Sequence, residues 1–467
     1  MKKNKTIIFG AGPSGIGVVC GIDENKKNEI PIIIEKNNRV GGLAGSFILD
    51  GDIIDYGPHR LAPTVKQVTK IAMEACGDDL LIQKSEHGVF IHKKLYQFPP
   101  QIFQWVNFKS LIFLSKTSIS YLKSFLLGVF IKKKKSNFRE IIINNFGEYF
   151  YKDIIDPMAN KVWGSSDSLD TTFVKKRFSQ LNPSEFLIKK IFNRKDLNPD
   201  NFYYPKNGFQ QLWDDLCFKK LKNNCEIRLN TYPKEIFINS ENTISEIMLN
   251  NGILKNLEND NIISTIPVIE LIKCLKNFDT EIYEDKLKDI EIRSMMLLIV
   301  KLDQPRTLPY RTIIFPQNDV TFNRIFEQNL YSKHTVEKNK SVIVADVTFD
   351  VNTTEKKINY LFEKSKKDIL ELEFVDSKKI ISIDRKIIKY AYVSPTEKTK
   401  KAYEFINTEL NKIKNLNILG RFGAGDYDNS DYAIESGINL ANYLFANKDK
   451  KEYSELIKAR EKNIIVG

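Results

Sequence analysis

The feature that most constrains the fold of this chain is a glycine-rich turn between two short apolar segments near its beginning. Thr6–Phe9 is predicted to be a strand, Gly10–Gly15 follows with the pattern Gly-x-Gly-x-x-Gly, and Ile16–Ile22 is predicted to be helical. A second apolar strand, Ile32–Ile34, ends at Glu35. Strand, glycine turn, helix, strand and acid in this order are typical of a Rossmann-type site for the adenosine diphosphate part of a dinucleotide.

Each part of this motif has a physical task in the predicted site. The glycines allow a tight turn and let the backbone approach a pyrophosphate, and the helix N-terminus offers free N–H groups with a partial positive charge. Glu35 would accept hydrogen bonds from ribose hydroxyls, which argues against a 2′-phosphate there. The alternative is a tight turn without a ligand. The predicted cofactor-binding residues of this motif are Gly10, Gly12, Pro13, Ser14, Gly15 and Glu35.

A second glycine pair extends the predicted site. Arg39-Val40-Gly41-Gly42 follows Glu35 after three residues, and glycines here let the chain pass close to a longer cofactor. The N-terminal stretch resembles the FAD-dependent family that includes amine oxidases, protoporphyrinogen oxidases and UDP-galactopyranose mutases. This resemblance implies FAD as the cofactor. It extends the cofactor-binding candidates to Lys36, Arg39, Gly42 and Leu43.

Composition excludes some classes of protein. The chain has 467 residues, 42% of them hydrophobic, which is enough for a large core and two or three domains. The net charge of +12 fits attraction to an anionic ligand or surface, or a chain rich in Lys, Asn and Ile throughout; we favour the latter. The lysines are dispersed and not interleaved with aromatic residues, so we expect no nucleic-acid partner.

Cysteine and histidine usage indicates the compartment and argues against a metal. The five cysteines form no C-x-x-C pair, which is typical of a reduced, cytoplasmic protein. Four dispersed histidines are too few for a metal cluster, so no metal site is expected. The chain passes directly from Met1-Lys2-Lys3 into the first strand, and no signal peptide is predicted.

The most apolar stretch, Ser110–Ile131, is interrupted by polar residues such as Lys116 and Lys123. It is too polar for a membrane span, so no transmembrane segment is expected. Lys132–Lys135 follow it directly and would either contact anionic lipid or form the solvated end of a packed helix. We favour the packed helix.

The pattern of elements predicts an α/β protein built around a discontinuous Rossmann-type FAD-binding domain. A helical domain is inserted into it, and an antiparallel β-sheet forms the substrate domain. The FAD-binding domain is expected in three pieces, with the site where the domains meet at the flavin. The predicted boundaries are 1–100 for the first FAD-binding piece, 101–200 for the helical insert, 201–292 for the second piece, 293–395 for the sheet and 396–467 for the last piece.

Several local patterns support this organisation. Asp50-Gly51-Asp52 is an Asp-Gly hairpin signal between two strands. Asn261–Pro267 is predicted to be a buried strand followed by a helix that starts at the proline, and the strand is expected to rejoin the parallel sheet next to the cofactor. Tyr203–Gly208 is predicted to be a turn, and Val320–Phe326 a strand.

Residues far from the glycine turn supply candidates for chemistry. His59 follows a strand expected beside the cofactor, where it would face the flavin or serve as a structural turn histidine. Trp163 would either stack on a base or pack in a core, and Arg177 would either bind an anion or lie on a solvated face. Arg324 stands among apolar residues and requires a carboxylate or phosphate partner. Two arginines from different domains would clamp a diphosphate.

The C-terminal part adds polar groups at the ends of strands. Tyr392 and Tyr427 would add hydrogen bonds to phosphate oxygens, with ordinary packing as the alternative. Arg421, in Gly420-Arg421-Phe422-Gly423, would favour negative charge on a reduced isoalloxazine. Asp431 or Ser430 would cap a helix whose N-terminus points at the flavin or its ribityl chain.

Taken in order, these motifs resemble the UDP-galactopyranose mutase family, and more closely its longer, eukaryotic-type form. The resemblance runs along nearly the whole chain, from the glycine turn to Asp431. It rests on Gly10–Gly17, Gly41–Ala44, Gly57–His59, Lys161–Trp163, Phe322–Arg324, Tyr392–Thr396 and Gly420–Gly423 with Tyr427 and Asp431.

The resemblance implies a role for each candidate. The implied catalytic residues are His59, Arg324 and Arg177. The implied substrate-binding residues are Trp163, Arg177, Tyr204, Asn207, Arg324, Tyr392 and Tyr427. His59, Gly420, Arg421 and Asp431 are added to the cofactor-binding residues. The chain departs from the family pattern at Pro58, Met158, Asn323 and the segment Tyr203–Gly208.

The activity implied by the resemblance is an isomerisation without net redox change. FAD would act in its reduced form on a nucleoside-diphosphate sugar, and the nucleotide would leave and return while the sugar ring opens and recloses. NAD(P)H or a reductase would supply the electrons, and a homo-oligomer is expected. An FAD-dependent oxidase or dehydrogenase of the protoporphyrinogen oxidase or amine oxidase kind is the alternative, and Gly57-Pro58-His59-Arg60 fits it equally well.

Overall fold

The computed structural model describes residues 5–25, 29–98, 108–130, 137–173 and 201–445. The strands among these residues are β1 (Thr6–Phe9), β2 (Ile32–Ile34), β3 (Ser46–Leu49), β4 (Asp52–Asp55), β5 (Leu80–Lys84), β6 (His87–Ile91), β7 (Lys94–Phe98), β8 (Asn201–Pro205), β9 (Glu226–Arg228), β10 (Pro233–Ile238), β11 (Ile244–Leu249), β12 (Gly252–Lys255), β13 (Asn261–Ser264), β14 (Leu275–Lys276), β15 (Ile292–Leu302), β16 (Thr312–Ile314), β17 (Arg324–Glu327), β18 (Ser341–Asp350), β19 (Ile380–Val393) and β20 (Leu416–Ile418).

The α-helices in the same ranges are α1 (Pro13–Glu24), α2 (Lys66–Cys76), α3 (Phe108–Phe130), α4 (Phe138–Phe146), α5 (Glu148–Phe150), α6 (Asp156–Trp163), α7 (Gln210–Asp215), α8 (Val268–Cys274), α9 (Glu284–Lys288), α10 (Glu355–Leu370), α11 (Glu397–Leu410) and α12 (Ser430–Phe445). Two π-helical stretches, Tyr151–Ile155 and Leu216–Lys220, continue α5 into α6 and extend α7.

A five-stranded parallel sheet forms the centre of the dinucleotide-binding part. Its strand order is β20-β13-β1-β2-β9, and β1 pairs in parallel with β13 on one side and β2 on the other. β1, Thr-Ile-Ile-Phe, and β2, Ile-Ile-Ile, are buried at every position, as expected for a parallel sheet covered by helices. The prediction that the strand in Asn261–Pro267 rejoins this sheet is confirmed, and the strand ends at Ser264.

Small residues let the helix after the glycine turn pack closely against the last described helix. A Cβ atom on Gly17 of α1 would overlap the carbonyl oxygen of Ile434 in α12. A Cβ on Gly437 of α12 would overlap the backbone of Ser14 and Val18. Residues separated by more than four hundred positions therefore meet at the cofactor turn.

A seven-stranded sheet of order β19-β15-β18-β17-β16-β6-β7 forms the second layer. All of its neighbours are antiparallel except β16 and β6, which run parallel. The hairpin β6–β7, which lies within the predicted range 1–100, contributes the last two strands of this sheet. The domain boundaries remain predictions.

Three smaller sheets account for the other strand pairs in the described part of the chain. One has the order β12-β11-β10-β14. The hairpin β3–β4 turns through Asp50 and Gly51, which have φ values of 49° and 85°, so the Asp-Gly hairpin prediction is confirmed. The prediction of a turn at Tyr203–Gly208 is wrong in its first half, because β8 pairs antiparallel with β5.

The helical insert packs around Phe138, Ile142, Ile154 and Trp163. Within the described part of the chain, no helix has both the length and the apolar character needed to cross a membrane. The Lys132–Lys135 segment lies outside the described residues.

Candidate active site

The glycine turn after β1 has the shape required to hold a pyrophosphate. Gly10 has φ +99°, and a Cβ on Gly15 would overlap the carbonyl oxygen of Gly10. A Cβ on Gly12 would meet no described atom within 4 Å, so the space over the turn is open. α1 begins at Pro13 with no side-chain cap from the described residues, which leaves its first N–H groups for a ligand.

Glu35 is fixed at the end of β2 beside this turn. The side chain is 6% exposed. Its Oε2 accepts a hydrogen bond from the Ala11 N–H at 2.9 Å, and its Oε1 accepts bonds from the N–H and Nδ2 of Asn37 at 2.8 and 2.6 Å. An ionised carboxylate has about four acceptor positions, so Glu35 retains capacity for a ribose hydroxyl. Lys36 is exposed.

The second glycine pair touches the first. Gly42 has φ +54°, and a Cβ there would lie 3.3 Å from the Cα of Gly12. The Nη1 of Arg39 donates to Val40 O and Gln210 Oε1, both at 3.2 Å, and its guanidinium lies 4.7 Å from the Tyr56 ring centroid. Leu43 is partly buried against the core.

The segment after β20 closes the same space from the other side. Gly420 has φ +85°, and a Cβ there would lie 3.0 Å from the Ser14 Oγ. Asp431, in the first turn of α12, is 4% exposed and accepts a hydrogen bond from the Thr64 Oγ1 at 2.5 Å. Burial raises the pKa of Asp431. The residues around the open space over Gly12 therefore fit the adenosine diphosphate and ribityl parts of FAD.

His59 lies where the dinucleotide-binding part meets the antiparallel sheet. Burial, with the charges of Arg324, Arg421 and Arg39, lowers its pKa to about 3, so the imidazole is neutral at physiological pH. The ring stacks on Phe209 with centroids 5.2 Å apart. The buried Nδ1 has no hydrogen-bond partner among the described residues. Its environment suits a neutral group beside a flavin.

Arg324 and Asp346 form an ion pair on adjacent strands. Arg324 is the first residue of β17, rather than lying inside a strand as predicted, and its register partner is Asp346 on β18. The Nε and Nη2 of Arg324 donate to Asp346 Oδ2 at 2.9 and 2.6 Å. Burial alone would lower the pKa of the guanidinium, but Asp346 raises it above its ordinary value. The cation is therefore held in place and stays charged.

Two tyrosines and a second arginine surround this ion pair. Burial raises the pKa of Tyr392, and the charges of Arg324 and Arg421 oppose that rise. The guanidinium of Arg421 lies 5.1 Å from the Tyr427 ring centroid, and its Nη2 donates to Asp428 O at 2.7 Å. These contacts bring cations and phenols from β17, β19 and the segment before α12 to one place.

Trp163 is a core residue with one polar contact to this group. It is 3% exposed and packs edge-on against Phe173, with ring centroids 5.0 Å apart. Its Nε1 donates to the Tyr427 hydroxyl at 3.3 Å. Of the two alternatives predicted for Trp163, the structure shows packing in a core. Its hydrogen bond to Tyr427 connects this core to the candidate site.

Two predicted site residues, Tyr204 and Asn207, are not brought into this group, and a third cannot be placed. Arg177 lies outside the described residues. Tyr204 is fully buried, and its hydroxyl donates to Asp55 Oδ2 at 2.7 Å and accepts from Gln328 Nε2 at 2.8 Å, so it holds the core instead of facing a cleft. Asn207 is exposed beyond β8.

Asp346 and Lys161 are site-supporting residues that sequence reasoning missed. Asp346 was visible as an acid between apolar residues in the middle of β18, matching the single arginine of the neighbouring strand. Lys161 is a half-buried lysine whose Nζ donates to the carbonyl oxygens of Phe315, Gln317 and Phe322. No local pattern separates this lysine from the many exposed ones.

Fold and site together define a flavoprotein in which an FAD-binding parallel sheet faces a large antiparallel sheet. The sequence model of the flavin containing amine oxidoreductase family matches residues 28–302, more than half of the chain. The chain belongs to this family, and FAD is its cofactor.

Solved structures share the fold at low sequence identity. A reduced UDP-galactopyranose mutase aligns with a TM-score of 0.81 and 19% identity over 100% of this chain and 99% of its own. A protein from Exiguobacterium described as a putative protoporphyrinogen oxidase aligns with a TM-score of 0.72 and 13% identity over 96% of this chain and 100% of its own. Putrescine oxidase bound to putrescine aligns at 0.62 and 13% over 95% and 99%. No curated protein matches the chain by sequence.

Proposed function

We propose that this flavoenzyme is a nucleotide-sugar mutase that interconverts pyranose and furanose forms of a UDP-hexose, resembling UDP-galactopyranose. The observation that carries the proposal is the convergence of Arg324, Arg421, Tyr392 and Tyr427 beside neutral His59. Two fixed cations with phenolic hydroxyls match the charge and hydrogen-bonding needs of a diphosphate. The fold shared with reduced UDP-galactopyranose mutase supports the same reading.

In this proposal the protein groups bind and orient the nucleotide while the sugar reacts. Reduced FAD, when bound, supplies the nucleophilic nitrogen for exchange at the anomeric carbon. Arg324, held by Asp346, and Tyr392 would bind the diphosphate before and after it leaves the sugar. Arg421, stacked on Tyr427, would keep positive charge near both the leaving group and the reduced ring. Arg177 stays a proposed second diphosphate ligand.

Neutral His59 has a different task in the proposed reaction. A third cation at its position would add to the repulsion among the arginines. As a neutral imidazole, His59 can lie beside the flavin and donate or accept a single hydrogen bond. Because it carries no positive charge, it would not compete with the arginines for the diphosphate. His59 would therefore add no charge beside either the oxidised or the reduced cofactor.

Further parts of the proposal concern partners and location. NAD(P)H or a reductase would keep FAD reduced, and the enzyme would act as a homo-oligomer. A cytoplasmic location is supported by the five cysteines, all of which are free.

An FAD-dependent oxidase or dehydrogenase is the second candidate. The family model is that of flavin containing amine oxidoreductases, and putrescine oxidase shares the fold. Such an enzyme would not require two arginines and two tyrosines directed at a diphosphate.

Product analysis separates the two candidates. Dithionite-reduced protein is mixed anaerobically with UDP-galactopyranose and related nucleotide sugars, and the products are separated by chromatography. We expect an isomer of the nucleotide sugar. Turnover that requires oxygen or another electron acceptor, with no sugar isomer, would overturn the mutase proposal.

A further inference from the structure

The net charge of the chain is concentrated in one stretch around the helical insert. Residues 87–139 hold ten of the 71 Lys and Arg and none of the 59 Asp and Glu, so they carry +10 of the net charge of +12. The charge is therefore less evenly spread than the composition indicates. The helix α3 lies within this stretch and contains no acidic residue. A face of α3 that is open to solvent would attract an anionic surface.

One face of α3 packs against the rest of the helical insert. The Phe113 side chain is buried, and its ring centroid lies 5.9 and 6.4 Å from those of Tyr149 and Phe150. The Oγ of Ser120 accepts a hydrogen bond from the Tyr149 N–H at 3.0 Å. A Cβ on Gly147 would come within 2.6 Å of a backbone nitrogen of α3. These contacts fix which side of α3 is turned away from the protein.

The other side of α3 carries a stripe of large aliphatic residues that are exposed to solvent. With 3.6 residues per turn, they fall within an arc of about 80° and extend over about 21 Å of the helix axis. The stripe consists of Ile112, Ile119, Leu122 and Leu126, which are 39, 67, 56 and 56% exposed. Single exposed aliphatic residues are common, but an aligned set on one helix face is typical of a surface that meets a partner.

Two lysines border this aliphatic stripe on one side. Lys116 and Lys123 follow the stripe residues Ile112 and Ile119 by about one helical turn, and both lysines are exposed. The Nζ of Lys116 lies 5.5 Å from the centroid of the Tyr149 ring. A lysine can bury its methylene groups along an apolar surface while its ammonium group reaches an anion. Aliphatic groups and cations are therefore available to one partner at the same time.

The acid beside these lysines is shared among several cations. The Nζ of Lys152 lies 2.8 Å from the Oε1 of Glu148, and the Nη2 of Arg139 lies 3.7 Å from the same atom. The hydrogen bond from Lys152, with the charges of Arg139 and Lys123, lowers the pKa of Glu148. One carboxylate thus interacts with three cations, and the surface around α3 keeps positive charge for an external anion.

We propose that α3 docks this protein on an anionic membrane surface, with the aliphatic stripe among the lipids and the lysines on the phosphate headgroups. A helix with an apolar stripe and basic residues beside it suits the interface of a bilayer. A second copy of the chain is a poorer partner, because it would bring the same lysines and α3 has no acid to pair with them. Such docking would hold the enzyme at a membrane whatever reaction it catalyses.

Vesicle co-sedimentation of the FAD-loaded protein tests the docking. The protein is centrifuged with vesicles of phosphatidylcholine alone, and with vesicles in which about 30% of the lipid is anionic phosphatidylglycerol. We expect partitioning onto the anionic vesicles to be about tenfold stronger, because lysines near the surface are attracted to anionic lipid. High salt should remove most of this preference, because it screens exposed charges.

The aliphatic stripe is tested by the double variant Ile119→Ser with Leu122→Ser. We expect it to bind anionic vesicles about tenfold more weakly, because less apolar area enters the lipid interface. The matched control is Ile253→Ser with Tyr360→Ser, which removes two large residues of similar exposure, 50 and 55%, outside α3. The control should bind as the wild type does. The flavin-to-protein absorbance ratio checks that each variant is folded.

The lysines are tested by the double variant Lys116→Gln with Lys123→Gln. Its preference for anionic over neutral vesicles should fall by about tenfold. Lys356→Gln with Lys367→Gln, which neutralises two exposed lysines of α10, is the control and should keep the preference of the wild type. If the stripe variant fails to fold, the lysine variant decides the question.

Binding to anionic vesicles that both α3 variants weaken and both controls retain would support the docking. A wild type that sediments with neither kind of vesicle would overturn it, and so would binding that either folded α3 variant leaves unchanged. Sedimentation equilibrium distinguishes a protein partner. A wild-type dimer that Ile119→Ser with Leu122→Ser dissociates, without vesicle binding by the wild type, would assign the stripe to a second copy of the chain and overturn the membrane proposal.

Discussion

Arg324 lies half-buried against Asp346, and this pairing decides how substitutions at either position behave. The Arg324 side chain is 28% exposed and the Asp346 side chain 2%. Removing the arginine leaves the carboxylate buried without its partner, which is costly in a low-dielectric site. Loss of binding and loss of stability must therefore be measured separately.

Arg324→Ala is expected to abolish most nucleotide-sugar binding while the protein stays yellow with FAD. Loss of a desolvated, charge-assisted contact costs about 2–5 kcal/mol. Arg324→Lys should weaken binding less, because it keeps the charge for Asp346 but loses the two-pronged geometry. Calorimetry with UDP on the reduced protein measures both. The exposed Arg385→Ala variant is the control, and unchanged affinity in Arg324→Ala would remove this residue from the site.

The low pKa of His59 predicts a pH-dependent stability. The folded-state pKa is about 3 and the ordinary value is 6.5, so between these values the unfolded chain binds a proton that the folded chain does not. Stability is then fully present above pH 6.5 and falls as the pH drops toward 3. The slope from this group is at most about 1.4 kcal/mol per pH unit.

Urea unfolding of the wild type and of His59→Asn from pH 7 to pH 5 tests this. The variant should lose less stability than the wild type over that interval. Identical slopes would mean that His59 titrates normally in the folded protein.

At the residue scale, the sequence identifies candidate site residues more reliably than it identifies the side chains that those residues contact in the fold. Arg324 was expected to need an anionic partner, but a sequence cannot tell a ligand phosphate from Asp346, because strand register is set by tertiary pairing. Tyr204 shows the converse error. Its motif resembled a substrate contact, yet its hydroxyl is used by Asp55 in the core.

The contact between α1 and α12 is the element on which the cofactor turn depends. Gly437→Ala would place a methyl group against the backbone of Ser14 and Val18. We expect the helices to move apart, with a loss of about 1–3 kcal/mol of stability and weaker retention of FAD. Thermal unfolding and the flavin-to-protein absorbance ratio measure these effects. Gly252→Ala is the control, since a Cβ there meets no described atom within 4 Å, and equal behaviour of both variants would contradict the account.

At the element scale, local patterns located β1, β2 and β13, since runs of isoleucine next to turn signals are distinctive. They failed where the partner strand is distant. They gave no sheet for the hairpin β6–β7, whose neighbour, β16, lies more than two hundred positions away. β8 was interpreted as a turn because its sequence, Asn-Phe-Tyr-Tyr-Pro, ends in proline next to a Lys-Asn-Gly turn signal.

For the whole molecule, FAD is expected to act as part of the fold. We propose that it binds between segments from both ends of the chain, including Gly12, Glu35 and Gly420. A ligand at one hundred times its dissociation constant stabilises the folded state by about 2.7 kcal/mol. Adding FAD to apoprotein should therefore raise the Tm in a concentration-dependent manner, as measured by scanning calorimetry. A Tm that does not respond to FAD would contradict the assigned cofactor site.

The fold class, α/β with a Rossmann-type domain, was predictable because the glycine turn and the acid after β2 are typical of that domain. The antiparallel sheet and the helical insert could be placed in order. The reaction was less predictable from the sequence than the fold class. It depends on residues of β17, β18 and β19, which lie hundreds of positions after the glycine turn and approach the cofactor site only in the folded chain.

The central proposal is that FAD here supports an isomerisation and not an oxidation. The most direct test is whether turnover consumes electrons from the reduced flavin. Reduced enzyme is incubated with a large excess of the nucleotide sugar in a sealed anaerobic cuvette, without any electron acceptor, while flavin absorbance and sugar products are followed together. The account predicts many moles of sugar isomer per mole of enzyme with the flavin remaining reduced. Product that stops at one equivalent per flavin, or that forms only when an electron acceptor is supplied, would contradict it.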